Sequence, residues 1–418
     1  MKAGKQLWRT FGPVLVAVIA ALALFATPWR GLKINSQTLK EATVSLSTNV
    51  YRGEKIKDVA LNDNYVPFIG SSELSRMDAM HPSVLAAKYK RGYQTLLLGG
   101  PGSQSLNHYF TIQEMSAQLR NKKVVYVISP QWFTPKGQRP DAFGYYYSAL
   151  QATDWLLQAK NTKADRYAAQ RLLAMPSGTS SLLIENATKK IAAGRRLSAV
   201  EKLMLTQKQV ILKNEDALFS TLDLDNNWEH IKQETKKLPA TDNERLLNQV
   251  AVKQAQQETT NNEFNIKDSF FKKELRGGRR LPRLKDSQVR FDYRRSPEYA
   301  DFQLVLQQLA ALNCQVEFVL PPINQRWVDY TGLNMTMWRQ TTKKIKQQLL
   351  NQGFTNIDDL SEDGNQAYYM EDTIHIGWRG WLRMDQSVRP FLTETQAQPD
   401  YQISDYYLSP AWQQKIVK

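Results

Sequence analysis

Residues 69–76 read IGSSELSR. A serine that follows an apolar run and a glycine suits two roles. It can cap a helix, its oxygen accepting a backbone N–H, or it can attack a carbonyl once a base takes its proton. The base has to come from four histidines, His81, His108, His230 and His375. His81 precedes Pro82 in a turn, His108 opens the stretch LNHYF, and His230 sits in the helical stretch WEHIKQE. Those contexts suit surface or capping histidines. His375 is different, because Asp372 stands three residues before it in YYMEDTIHIGWRGW. An aspartate at that spacing on one turn can accept from the ring's Nδ1–H, fix its tautomer and leave Nε2 to face a serine hydroxyl. Taken alone, D-x-x-H is a frequent chance pattern.

For Ser72 and His375 to meet, the chain must bring distant elements to one rim. Five apolar segments run into glycine, proline or polar turns, as buried strands do: YVPFIG (65–70), YQTLLLG (93–99), KVVYVIS (123–129), CQVEFVLP (314–321) and FTNIDDL (354–360). Helical patterns lie between most of them, which predicts an α/β fold with a parallel sheet covered on both faces. Pro67 argues against a clean central strand unless the strand starts at or after it. From about 145 to 275 no strand is expected, only helical stretches such as SAVEKLMLTQKQVILKNEDALFSTL. The join RGGRRLPRLKD (276–286) reads as a basic loop returning to the sheet, either a solvated turn or a lip that holds phosphate. In open parallel sheets the active crevice lies beyond the carboxyl ends of the strands. The exits GSSEL, GGPGSQSL, SPQWF and PPINQRW are therefore the places to look.

The chain has 418 residues, 42% hydrophobic and 23% charged, enough for a large core. Its single cysteine, Cys314, lies in an apolar run, so no internal disulfide forms and a buried structural thiol is expected. There is no P-loop, and no histidine and carboxylate cluster with metal-ligand spacing, so no cofactor or metal is expected.

Lys2, Lys5 and Arg9 precede the uncharged run from Phe11 to Trp29. As a helix that run would rise about 28 Å, close to a hydrocarbon core. Trp8 and Trp29 bracket it, favouring a retained anchor with a cytoplasmic N-terminus; Ala21 and Ala23 keep an A-x-A cleavage pattern open, and Arg30 and Lys33 oppose the orientation. Net charge is +15, of which +12 remains beyond the anchor's three basic residues. Such a body is drawn to anionic surfaces such as phosphate polymers or anionic lipid, or is simply kept soluble by its lysines.

A serine after the first strand and a D-x-x-H after the last is the layout of the SGNH hydrolase superfamily, which the chain resembles. Gly70-Ser71-Ser72 stands where that superfamily has Gly-Asp-Ser, so the resemblance makes Ser72 the nucleophile and Ser71 the replacement of the aspartate. The superfamily's G-x-N-D block has no clear counterpart. More narrowly, GSSEL, GGPGSQSL, SPQWF, SPEYADFQLVLQQLA, FVLPPINQRW and EDTIHIGWRGW, with the N-terminal anchor, resemble the DltD family of D-alanyl transfer proteins of Gram-positive bacteria.

The resemblance covers essentially the whole chain. It implies a three-layer α/β/α sandwich with an SGNH hydrolase-like (flavodoxin-like) sheet, a cytoplasmic tip and membrane anchor at 1–33, and an extracellular catalytic domain at 34–418 with a helical insertion at about 145–285. It further implies a Ser72–His375–Asp372 triad that moves D-alanine onto lipoteichoic acid. The implied partners are that polymer, the membrane and a membrane-embedded O-acyltransferase of the same pathway, with no nucleic acid. The same triad would serve a D-alanyl esterase or thioesterase, and a scaffold that binds carrier or polymer is a third reading.

An acyl-transfer intermediate needs donors to its oxyanion. The candidates are the N–H groups of Ser72 and of Gly100 or Gly102, and the Gln104 side chain, although GGPG is also simply a tight turn. Trp132, Trp378 and Trp381 fall near the proposed site in sequence, with core filling expected for at least two. Arg379 could hold a phosphate or form a structural ion pair.

Overall fold

All five apolar segments become strands: β1 (Tyr65–Ile69), β2 (Gln94–Leu98), β3 (Lys123–Val127), β4 (Gln315–Leu320) and β5 (Ile357–Asp359). They form one parallel sheet in the order β2-β1-β3-β4-β5. This is the flavodoxin-like order, whose switch point falls where the chain leaves β1. The computed structural model describes residues 2–27, 29–276 and 280–418. Pro67 does lie inside β1, opposite Leu96 of β2, while the ladder to β3 begins only at Phe68. The missing N–H is thus accommodated by a late start of pairing on the β3 side, not by a late start of the strand.

Alternation along the strands divides the core. Ile69, Leu98, Val124, Tyr126, Phe318 and Leu320 face one cluster, whereas Phe68, Leu97, Val125, Val127 and Val319 face the other. Eight helices carry the argument below: α1 (Lys2–Ala26), α2 (Pro82–Tyr89), α3 (Ser105–Glu114), α4 (Ala199–Phe219), α5 (Glu244–Glu258), α6 (Glu298–Ala311), α7 (Met335–Leu350) and α8 (Trp378–Thr393). Leu106 and Tyr109 of α3, Phe302 and Leu306 of α6 and Trp338 and Ile345 of α7 join the first cluster. Val84 of α2, Leu247 of α5 and Trp381 and Met384 of α8 join the second. The result is an α/β/α sandwich in which each wholly buried leucine or valine contributes about 1.5–3 kcal/mol.

Between β3 and β4 the described residues form helices and turns and no strand. The basic join is not all loop, since Arg280–Leu284 forms a short helix; residues 277–279 lie outside the described residues. Cys314 is buried, with its thiol facing the Leu119 carbonyl at 3.3 Å.

At the other end of the chain, α1 begins before Phe11, takes in Lys5 and Arg9, and stops before Pro28. Residues Lys5–Phe25 of it are long and apolar enough to cross a membrane and are almost wholly uncovered by the rest of the protein.

Candidate active site

Ser72 stands just past the end of β1, as the first residue of a 3-10 turn (Ser72–Ser75). His375 lies beyond β5, in a loop closed by an antiparallel bridge between Met370 and Ile376. That loop is held by Glu371 N donating to His375 O (2.9 Å) and Gly377 N donating to Tyr369 O (2.9 Å). Asp372 therefore sits in a bridged loop, where the sequence suggested a single turn. Its Oδ1 accepts the Ile374 and His375 N–H groups, both at 2.9 Å. A short acidic side chain that bonds the backbone two residues on is the usual way to build such a turn.

The two loops meet. Ser72 Oγ lies 2.7 Å from His375 Nε2 across 303 sequence positions. On the far side of the ring, Nδ1 lies 2.9 Å from Asp372 Oδ1 and 2.8 Å from Oδ2. A carboxylate can only accept, so the proton belongs on Nδ1, and Nε2 is left as the acceptor for the serine hydroxyl. Asp372 is wholly buried, His375 is 8% exposed and Ser72 is half-buried. Burial raises the Asp372 pKa, but His375, Arg76 and the backbone donors outweigh it and hold the carboxyl below its ordinary value.

Three residues beside this line gave no signal in the sequence. Arg76 Nη2 is 3.2 Å from Asp372 Oδ2. It is also 3.3 Å from His375 Nδ1, but there a donor faces a donor, so its bond goes to the carboxylate. Glu73, inside the quoted GSSEL, folds back so that Oε1 accepts the Ser71 N–H at 2.6 Å. Burial pushes that carboxyl upward. Asp78 is buried and accepts from Met80 N at 2.7 Å and from Trp378 N, tying the serine loop to the start of α8, where Trp378 has a φ of +33°.

Two of the remaining histidines, His81 and His108, are packed more deeply than sequence suggested, whereas His230 is exposed as expected. His81 does cap α2, its Nδ1 accepting from Ser83 N at 3.2 Å, yet it is fully buried against Trp381. His108 is no surface residue either. It bridges the Tyr126 hydroxyl (2.8 Å) and the Gly70 carbonyl (2.9 Å) directly below the end of β1. Burial lowers the pKa of both rings to about 3, so they are neutral. His230 reaches from the insertion to the Met77 carbonyl at 2.7 Å.

The glycine loop after β2 packs on the serine turn. A Cβ on Gly99 would come within 2.0 Å of Gly70 O, and Ser71 Oγ donates to Gly100 O at 3.0 Å. Gly100 N–H is already bound to Ser103 Oγ at 3.1 Å, which removes it as an oxyanion donor. Among the described residues no acceptor takes the Ser72 N–H, the first amide of its turn. Gly102 has a φ of +83° and gives its carbonyl to Gln138. The Gln104 side chain is half-buried with its Oε1 unpartnered, so it remains uncommitted.

Of the aromatic candidates, Trp132 is 6% exposed and packs edge-on against His108 and Tyr126. Trp378 and Trp381 are wholly buried, so these three fill core and support the loops from beneath. Arg379 forms no ion pair among the described residues. It donates to Asn248 Oδ1 of α5 at 2.9 Å and to Ala367 O at 3.0 Å, and it lies over the Tyr369 ring. It lines a cavity of about 490 Å³ with Arg245, Tyr369 and Arg383.

A carboxylate trio that sequence spacing did not reveal, Glu54, Glu114 and Asp154, lies outside this region. Two ammonium groups serve it: Lys57 Nζ is 2.5 Å from Glu114, and Lys213 Nζ is 2.7 Å from Glu54. A cavity of about 530 Å³ bordered by Tyr65, Tyr93 and Gln94 opens at the starting ends of β1 and β2, away from the serine.

The family model described as DltD protein matches residues 43–393. Protein DltD of Lacticaseibacillus rhamnosus is 48% identical over 415 residues, covering 99% of this chain and 97% of the relative. Protein DltD of Bacillus subtilis (strain 168) is 31% identical over 92% of this chain and 97% of its own length. Protein DltD of Staphylococcus aureus (strain NCTC 8325 / PS 47) is 29% identical over 91% of this chain and 95% of its own. With the family model spanning both the serine turn and the histidine loop, the chain belongs to the DltD protein family.

Proposed function

We propose that the chain is a membrane-anchored serine acyltransferase of teichoic acid D-alanylation, with residues 1–33 as cytoplasmic tip and anchor and residues 34–418 as an extracellular catalytic domain. His375 Nε2 takes the proton of Ser72 Oγ as the oxygen attacks an activated D-alanyl ester. The imidazolium, steadied by Asp372, then returns the proton to the leaving group, and a D-alanyl ester remains on Ser72. In the second half His375 deprotonates a glycerol hydroxyl of lipoteichoic acid, which collects the acyl group and frees the serine. Ester is exchanged for ester, so no nucleotide is consumed. The free Ser72 N–H, with Gly102 N–H and the Gln104 amide, is suited to hold the oxyanion. A membrane-embedded O-acyltransferase is the natural supplier of D-alanine across the bilayer, and the +12 body favours a polyanionic acceptor.

The observation that carries this reading is the 2.7 Å approach of Ser72 to His375 in a member of the DltD family. The test is a fluorophosphonate probe on the full-length protein, followed by incubation with a D-alanyl donor and lipoteichoic acid. Labelling at Ser72 that disappears in His375→Ala, with D-alanine ending on polymer, supports the transferase. Free D-alanine as the sole product makes it an esterase. A Ser72→Ala variant that still supports D-alanylation makes it a scaffold and ends the proposal.

A further inference from the structure

Helix α4 belongs to the insertion and is far from Ser72 in sequence, yet it carries an apolar stripe that none of the described residues covers. Val200, Leu203, Met204 and Ile211 are 66%, 60%, 51% and 45% exposed. Their spacing of three, four and seven residues places them on one side of the helix. Within the 21-residue helix only Leu205 and Asn214 are buried. Leu203, Met204 and Ile211 also line a recess of about 540 Å³ with Leu183, and Leu182 beside it is 77% exposed. An apolar face of this kind on a charged protein marks an interaction surface.

What covers it follows from the position of α1. Asn214 lies three residues beyond Ile211, on the same side of α4, and its Nδ2 donates to Phe25 O at 2.8 Å. The Phe25 ring lies 6.4 Å from that of Phe219. The side of α4 that receives the end of the membrane-crossing helix is therefore the side that bears the stripe. Beyond the other end of the stripe, Arg195 and Arg196 are exposed. An apolar face bounded by exposed basic residues is the pattern of a helix lying in a lipid interface.

We infer that α4 is a second membrane contact, lying in the surface of an anionic phospholipid leaflet with Leu203, Met204 and Ile211 in the acyl-chain boundary. The inference rests on α1 being embedded in lipid. Two contacts on one leaflet fix the tilt of the body, which a single flexible anchor leaves free. A fixed tilt holds the Ser72 rim at one height above the membrane.

The test uses the full-length chain in vesicles of phosphatidylglycerol and phosphatidylcholine. Met204→Cys, Lys202→Cys and Val16→Cys are each labelled with an environment-sensitive fluorophore; Cys314, fully buried, does not compete. Quenching by spin-labelled lipid is expected to be at least twofold stronger at 204 than at 202, on the opposite side of α4, and comparable at 204 and 16. Quenching at 16 without quenching at 204 overturns the inference, whether the face is then in water or covered by a protein. No quenching at 16 overturns the embedding of α1 instead, and the inference falls with it.

Discussion

Arg76 Nη2 stands 3.2 Å from Asp372 Oδ2, the same oxygen that lies 2.8 Å from His375 Nδ1. One carboxylate thus serves a fixed cation and an imidazole at once. Against burial, which raises it, His375 and then this cation hold the Asp372 carboxyl below its ordinary value. Arg76→Gln is expected to lower kcat/KM about tenfold, the scale of one lost charged hydrogen bond of about 1.5 kcal/mol. A depressed carboxyl contributes stability that is full above its unfolded pKa near 3.9 and lost as pH falls through the folded value. In Arg76→Gln that loss begins at higher pH, which acid denaturation followed by tryptophan fluorescence would register.

Asp372→Asn tests the tautomer. An amide can donate to Nδ1, turning the ring so that Nε2 carries the proton and faces Ser72 as a donor. Probe labelling of Ser72 is expected to slow by about 10³–10⁴-fold, with the melting temperature little changed. A rate near that of the native protein would show that Asp372 only shapes the loop.

Glu73 acts on Ser72 through its neighbour, by holding the Ser71 N–H. Glu73→Ala leaves a buried donor without an acceptor and is expected to cost about 1–3 kcal/mol of stability. Glu73→Gln keeps an acceptor at that position and is expected to restore most of both stability and labelling rate. If Gln rescues nothing, the negative charge itself is required.

His81 and His108 are buried neutral, with pKa values near 3. Unfolding lets them titrate at about 6.5, so the unfolded chain binds more protons between those values. Stability is expected to fall as pH drops from about 6.5 toward 3, by up to about 1.4 kcal/mol per pH unit for each ring. His108→Asn should flatten that slope while lowering stability at neutral pH, because the Gly70 carbonyl or the Tyr126 hydroxyl loses its partner. Urea denaturation at a series of pH values separates the two effects.

The sheet and the pairing of Asp372 with His375 were legible because both are written in periodic or local form, whereas the meeting of Ser72 with His375, 303 positions apart, was implied only by the resemblance to the SGNH layout. Short apolar runs ending in glycine or proline announce buried strands, and the position of Asp372 three residues before His375 announces a pair that shares a turn. Arg76 and Glu73 were not legible, since a lone arginine or glutamate in a turn carries no mark of which way it folds. His108 was misread because helix α3 is buried on every side, so no amphipathic pattern separated inside from outside. Gly100 looked like a free donor because sequence cannot tell that Ser103, three residues on, returns to occupy it. The insertion's helices were visible, but not that His230 and Asn248 reach the loops of the site.

The contact between Gly99 and the Gly70 carbonyl has a consequence for anyone reading function from substitution tolerance. Even a methyl group there acts as a wedge between the two ridges on which Ser72 rests. In a saturation library, position 99 would reject every replacement as strictly as a nucleophile does, though it owns no functional group at all. Intolerance at that point records clearance, and would be mistaken for chemistry.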